Sequence, residues 1–83
     1  MPKIRDPRRP EVMLWLSTLD GEARLTMLLA LKYAFPYLDA IKEWRELIKR
    51  ASDELKLTPR QHEDVVRRAG KIATNIKAEL EAA

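Results

Sequence analysis

Between Asp20 and Pro36 the chain carries a segment that is apolar around almost its whole circumference, and no other feature constrains the fold as strongly. Leu25, Met27, Leu28, Leu29, Ala30, Leu31, Tyr33, Ala34 and Phe35 are interrupted only by Arg24, Thr26 and Lys32. Wound at about 3.6 residues per turn, these side chains occupy nearly every azimuth, so the helix needs cover on most sides. The uncharged run between Arg24 and Lys32 is seven residues long, far below the ~20 needed to cross a bilayer. Protein must supply the cover.

A chain of 83 residues is near the lower size at which one hydrophobic core holds without staples. It contains no cysteine and a single histidine, His62, which excludes a disulfide framework, thiolate metal sites and a histidine cluster. Packing alone therefore stabilises it, with a net surplus of roughly 4 to 12 kcal/mol at the usual value per residue. So small a bundle offers limited cover, which makes Leu25, Leu28, Leu29 and Leu31 the candidate interface toward a second copy or another protein.

The rest of the chain divides by local signals. Met1 to Pro10 holds three prolines and the basic residues Lys3, Arg5, Arg8 and Arg9 against one acid, Asp6; residues 1–9 read as a flexible, extended arm. Pro10, with its fixed φ, and Glu11 suit a helix start, followed by the apolar stretch Val12 to Leu16 in a short helix over about 10–19. Asp20 is placed to cap the second helix, and Pro36 disfavours its continuation. From Pro36 or Asp39 to Lys56 the pattern is amphipathic, with Ile41, Trp44, Ile48, Ala51 and Leu55 on one stripe. Glu46 with Arg50 and Asp39 with Lys42 are expected helical ion pairs, each worth only ~0.2 to 0.5 kcal/mol.

The sharpest local signal is Thr58-Pro59-Arg60-Gln61, a capping box with proline in the first helical turn. The helix it starts carries Val65, Ala69, Ile72, Ile76 and Leu80 on its apolar stripe, with Val66 and Ala73 beside it. The expectation is an all-α fold: a bundle of about four helices over residues 10–83, ending in a long antiparallel hairpin joined at Leu57 and Thr58.

Function is read from charge and from what is missing. The net charge of +3 resides in the arm, whose Lys3, Arg5, Arg8 and Arg9 suit phosphate contacts. Arg60, Arg67, Arg68 and Lys71 form a second basic strip, diluted by Glu63 and Asp64. The run from Ile48 to Val66 superficially suggests a helix-turn-helix, but its helices are too long and its turn lacks glycine. His62 lacks converging partners for base or metal chemistry, and no phosphate-binding glycine loop or nucleophile elbow occurs. Trp15 and Trp44 fit core stripes better than base-stacking platforms.

These features favour a non-catalytic assembly or accessory subunit that acts through helix–helix contacts, within a nucleic-acid-handling complex, with no cofactor, metal or small-molecule substrate. The alternative is a dimeric DNA- or RNA-binding protein using the arm and the last helix. With 46% apolar and 35% charged residues, the chain is expected to fold. One Asn and one Gln beside 16 basic and 13 acidic residues resemble the usage of proteins from hot environments. Absence of an apolar signal core gives a cytoplasmic expectation.

Overall fold

The short helix that the Pro10 signal announces spans Pro10–Thr18 (α1) and ends without a glycine, at an extended Leu19. The computed structural model describes residues 4–82, with α2 over Gly21–Ala34, a 3-10 turn over Pro36–Ala40, α3 over Lys42–Leu55 and α4 over Pro59–Ala82. The all-α expectation holds. Lys3 lies outside the described residues.

Local chemistry explains most boundaries. Asp20 stands before α2, but its carboxylate caps no amide; it contributes through its backbone oxygen, which Arg24 N approaches at 3.4 Å. The corner instead depends on Gly21, whose φ of +55 lies in the left-handed region that disfavours other residues. Phe35, at φ −124 and ψ 80, has left the helical region before Pro36 and ends α2, as the pre-proline restriction on helical backbone requires. At the start of α4 the capping box forms in both directions: Thr58 N donates to Gln61 Oε1 at 3.0 Å, and Gln61 N donates to Thr58 Oγ1 at 3.2 Å. Lys56 closes α3 at φ 49, a left-handed conformation more often taken by glycine.

Helix α2 is the hub of the packing, approached by α1, α3, α4 and the 3-10 turn. Leu25, Leu28, Leu29 and Leu31 are 1%, 2%, 7% and 0% exposed. The chain's own elements cover them, which corrects their assignment as an interface. The antiparallel hairpin also needs revision. Although α3 and α4 are consecutive, no Cα of one comes within 8 Å of the other; both set their apolar stripes against α2. The residues expected to seal the hairpin, Ile48 and Ile72, are accordingly only half-buried. Trp44, by contrast, is fully enclosed and donates its indole N–H to the Leu28 carbonyl at 3.2 Å, fastening α3 to α2.

The basic arm is not a free tail from Ile4 onward. Ile4 is 5% exposed and Pro7 is among the most buried side chains, while Arg5, Arg8 and Arg9 remain outside. Asp6 organises the segment: its carboxylate accepts from Arg8 N at 2.9 Å and its carbonyl from Arg9 N at 3.2 Å. The Tyr37 phenol lies near Asp6, and its pKa is raised by partial burial and then by the carboxylate's charge, with Arg8 opposing. Apolar contacts therefore tie the arm down while its charges face solvent.

The surface ion pairs also differ from expectation. Asp39 meets Lys32 at 3.4 Å rather than Lys42, and Glu46 meets Lys42 at 3.9 Å rather than Arg50. The break at Ile41 explains the first change, because it places Asp39 on the 3-10 turn instead of on α3.

Candidate protein-interaction groove

With α2 enclosed, the remaining apolar surface is elsewhere. Among the helices only α2 brings a Cα within 8 Å of α1, and α1 is uncharged from Val12 to its end at Thr18. Val12 and Leu16 point inward and are buried; Leu14, on the opposite side, is 70% exposed. Trp15 and, just past the end of the helix, Leu19 are half-buried at the edge.

Beside that edge α1 and α4 flank α2, leaving an open groove of about 390 Å³. Trp15 and Leu19 form one wall and Ala23, Thr26 and Met27 the floor, while Arg68, Lys71 and Ile72 form the wall opposite. Thr26 is a buried polar residue, and its hydroxyl donates back to the Glu22 carbonyl at 2.6 Å, so the floor offers an essentially apolar surface. Sequence reasoning assigned Trp15 to the core. The signal that marks it as an edge residue is the uncharged length of α1, on a helix too short to be covered from both sides.

The groove is electrically lopsided. Arg68 and Lys71 stand on the α4 rim, whereas the α1 wall carries no charge. Arg68 makes two long, exposed ion pairs, to Glu22 at 3.8 Å and to Asp64 at 3.6 Å. Among the described residues, Lys71 has no carboxylate within 4.0 Å.

The basic strip anticipated on α4 is a mixed surface. Arg60, Arg67, Arg68 and Lys71 are all exposed, but Asp64 pairs with Arg67 at 3.7 Å as well as with Arg68. Arg60 and Arg67 share their surroundings with Glu22, Glu63 and Asp64. Alternating signs of this kind lower the local potential that phosphate contact depends on. In the arm, Arg9 sits 3.9 Å from Glu11.

Other depressions are distinct from the groove. One, about 600 Å³ at the α3–α4 corner, is lined by Ser52, Asp53, Lys56, Leu57, Pro59, His62 and Glu63. Its charges are of mixed sign, and His62 is exposed. A small cleft of about 170 Å³ is lined by Met13, Leu16, Leu28 and Leu47. Arg24 reaches into it, donating from Nη2 to the Ser17 carbonyl at 3.2 Å while its buried Nε finds no partner. Among the described residues no group of three His, Cys, Asp or Glu side chains is placed to hold a metal ion, and no helix is long and apolar enough to cross a membrane.

Fold and groove together define a class: a small helical bundle with an open apolar groove between two of its helices. No protein-family model, curated protein or solved structure matches the chain.

Proposed function

We propose that this chain is a non-catalytic accessory subunit that works by receiving another protein at the groove between α1 and α4. The observation that carries the reading is the combination of a sealed run from Leu25 to Leu31 with an open apolar groove over the first half of α2: the fold leaves Trp15, Leu19, Ala23 and Ile72 partly or fully exposed after its core is complete. Helix-lined apolar grooves are suited to packing against a further helix, because side chains one turn apart on each wall repeat at the spacing of helical side chains. Direct nucleic-acid binding is the weaker reading, since acids interleave with the basic residues of α4 and only Arg5, Arg8 and Arg9 extend the described basic surface.

Site-specific photo-crosslinking in cells tests the reading. A crosslinker at Ala23, in the groove floor, is expected to trap one defined protein, whereas the same group at Lys49 on the exposed side of α3 traps none. Equal adducts from both positions overturn the proposal. Salt-sensitive binding of duplex or single-stranded oligonucleotides to the purified chain, with no protein adduct at Ala23, replaces it with the nucleic-acid reading.

A further inference from the structure

The lopsided charge of the groove narrows the chemistry of its occupant. We infer that it takes a single amphipathic helix from another protein, its apolar residues seated over Ala23 and Met27 and its acidic flank set against Arg68 and Lys71. The inference rests on the groove being a protein-docking surface, as proposed above.

Three features lead to it. The first is the spacing of the walls. Ala23 and Met27 on α2, and Arg68 and Ile72 on α4, are each four residues apart on their helices, so floor and rim repeat in one-turn steps of ~6 Å, while Trp15 and the extended Leu19 just past the end of α1 add an apolar wall. A helix with apolar residues at i, i+4 and i+7 meets that repeat, while an extended strand, whose same-face side chains recur every ~6.6 Å but need a sheet edge for their backbone groups, finds no such edge in an all-helical fold. The second is the exposed Ala23 in the floor: a methyl side chain there lets a backbone approach closely, as small residues do at helix crossings.

The third is charge complementarity. Both rim charges are positive and on the same wall, three residues apart on α4, and the wall opposite is neutral. Arg68's existing pairs are long and exposed, so an incoming carboxylate competes with them on equal terms, and Lys71 needs none displaced. A second copy of this chain does not supply the matching element. The apolar stripes of α3 and α4 are turned to α2, with Trp44, Ala51, Val65, Ala69, Ala73 and Ile76 buried. On α1 the outward apolar residues are Met13 and Leu14, adjacent in sequence rather than one turn apart, so they do not form the one-turn apolar repeat the groove calls for. The net charge of +3 also opposes self-pairing at a cationic rim.

The test uses the full chain, isotope-labelled, and two synthetic helical peptides of 18 residues. Both carry leucine at i, i+4, i+7 and i+11; one places Glu on the flanking positions, the other Lys. Backbone amide shifts locate the binding site and titration gives the affinities. The expected result is that the Glu peptide perturbs Trp15, Leu19, Ala23, Met27 and Ile72 and binds about fivefold to tenfold tighter than the Lys peptide. That preference should shrink as salt rises. The double variant Arg68→Glu, Lys71→Glu, altered only at exposed positions, should keep the native amide spectrum and reverse the preference. Equal affinities with the groove amides still perturbed overturn the acidic-partner inference and leave the docking reading standing. Failure of both peptides to perturb the groove overturns both.

Discussion

Helices α1 and α2 are both rich in apolar residues, yet they meet opposite fates. In α2 the residues from Leu25 to Leu31 are all buried, including Thr26. In α1 only Val12 and Leu16 are buried, while Met13 and Leu14 are exposed by 37% and 70%. Composition does not separate the two helices, but their neighbours do: α2 is approached by α1, α3, α4 and the 3-10 turn, and α1 by α2 alone among the elements. An apolar surface becomes core or candidate interface according to how many elements the rest of the chain can bring to it. The helix with apolar residues around most of its circumference was therefore the poorer guide to an interaction surface.

Substitutions in α2 should break the bundle most severely. Leu31 is completely enclosed, and Leu31→Ala should cost ~2 to 5 kcal/mol, a large share of the total stability, as read by urea unfolding monitored by circular dichroism. Trp44→Ala should fall in the same range or above, because it removes a buried ring and leaves the Leu28 carbonyl without the indole donor. A cost below ~1 kcal/mol for Leu31→Ala would show that α2 is not the shared core, and that the contrast with α1 is wrong.

A smaller loss should follow at the N-terminal segment. Ile4 is 5% exposed, so Ile4→Ala should destabilise by about 2 kcal/mol, near the lower end for a large-to-small change because an end segment relaxes readily. Arg5→Ala, on the exposed side of the same segment, should stay within ~0.5 kcal/mol. Indistinguishable midpoints for these two variants would restore the freely solvated arm that the prolines and charges of residues 1–9 suggested.

What the sequence reveals depends on how far a signal reaches along the chain. The start of α4 is legible because Thr58 and Gln61 satisfy each other within one turn, and the end of α2 because Pro36 acts on its own neighbour. The amphipathic stripes of α3 and α4 are equally visible, but not what they face: adjacency in sequence suggested each other, whereas α2 receives both. Burial of Ile4 and Pro7 is invisible locally, since isolated apolar residues among charges look like a tail until a distant surface covers them. The groove was hidden for the same reason. Its walls come from three helices, and Trp15 reads as core until the shortness of α1 and its single neighbour are known. Arg68 and Lys71 were picked out for their charge; only the fold sets them beside an apolar floor.

The smallest expected effect provides the sharpest test of the comparison. Leu14 is as apolar as Leu31 but stands 70% exposed, pointing away from α2. Leu14→Ser removes a side chain that buries little on folding, and it gives up a modest amount of helix propensity on a short helix. The net change should stay within ~0.5 kcal/mol. Trp15→Ala, one residue along, should lie between the extremes, because Trp15 is half-buried against the groove edge. The graded order Leu31, Trp15, Leu14 in unfolding midpoints is the signature of a helix covered from one side only. If Leu14→Ser instead costs as much as Trp15→Ala in the purified chain, and the cost grows with protein concentration, Leu14 is buried by another copy in solution. Helix α1 would then belong to a self-interface, and the open groove beside it would need to be reassigned.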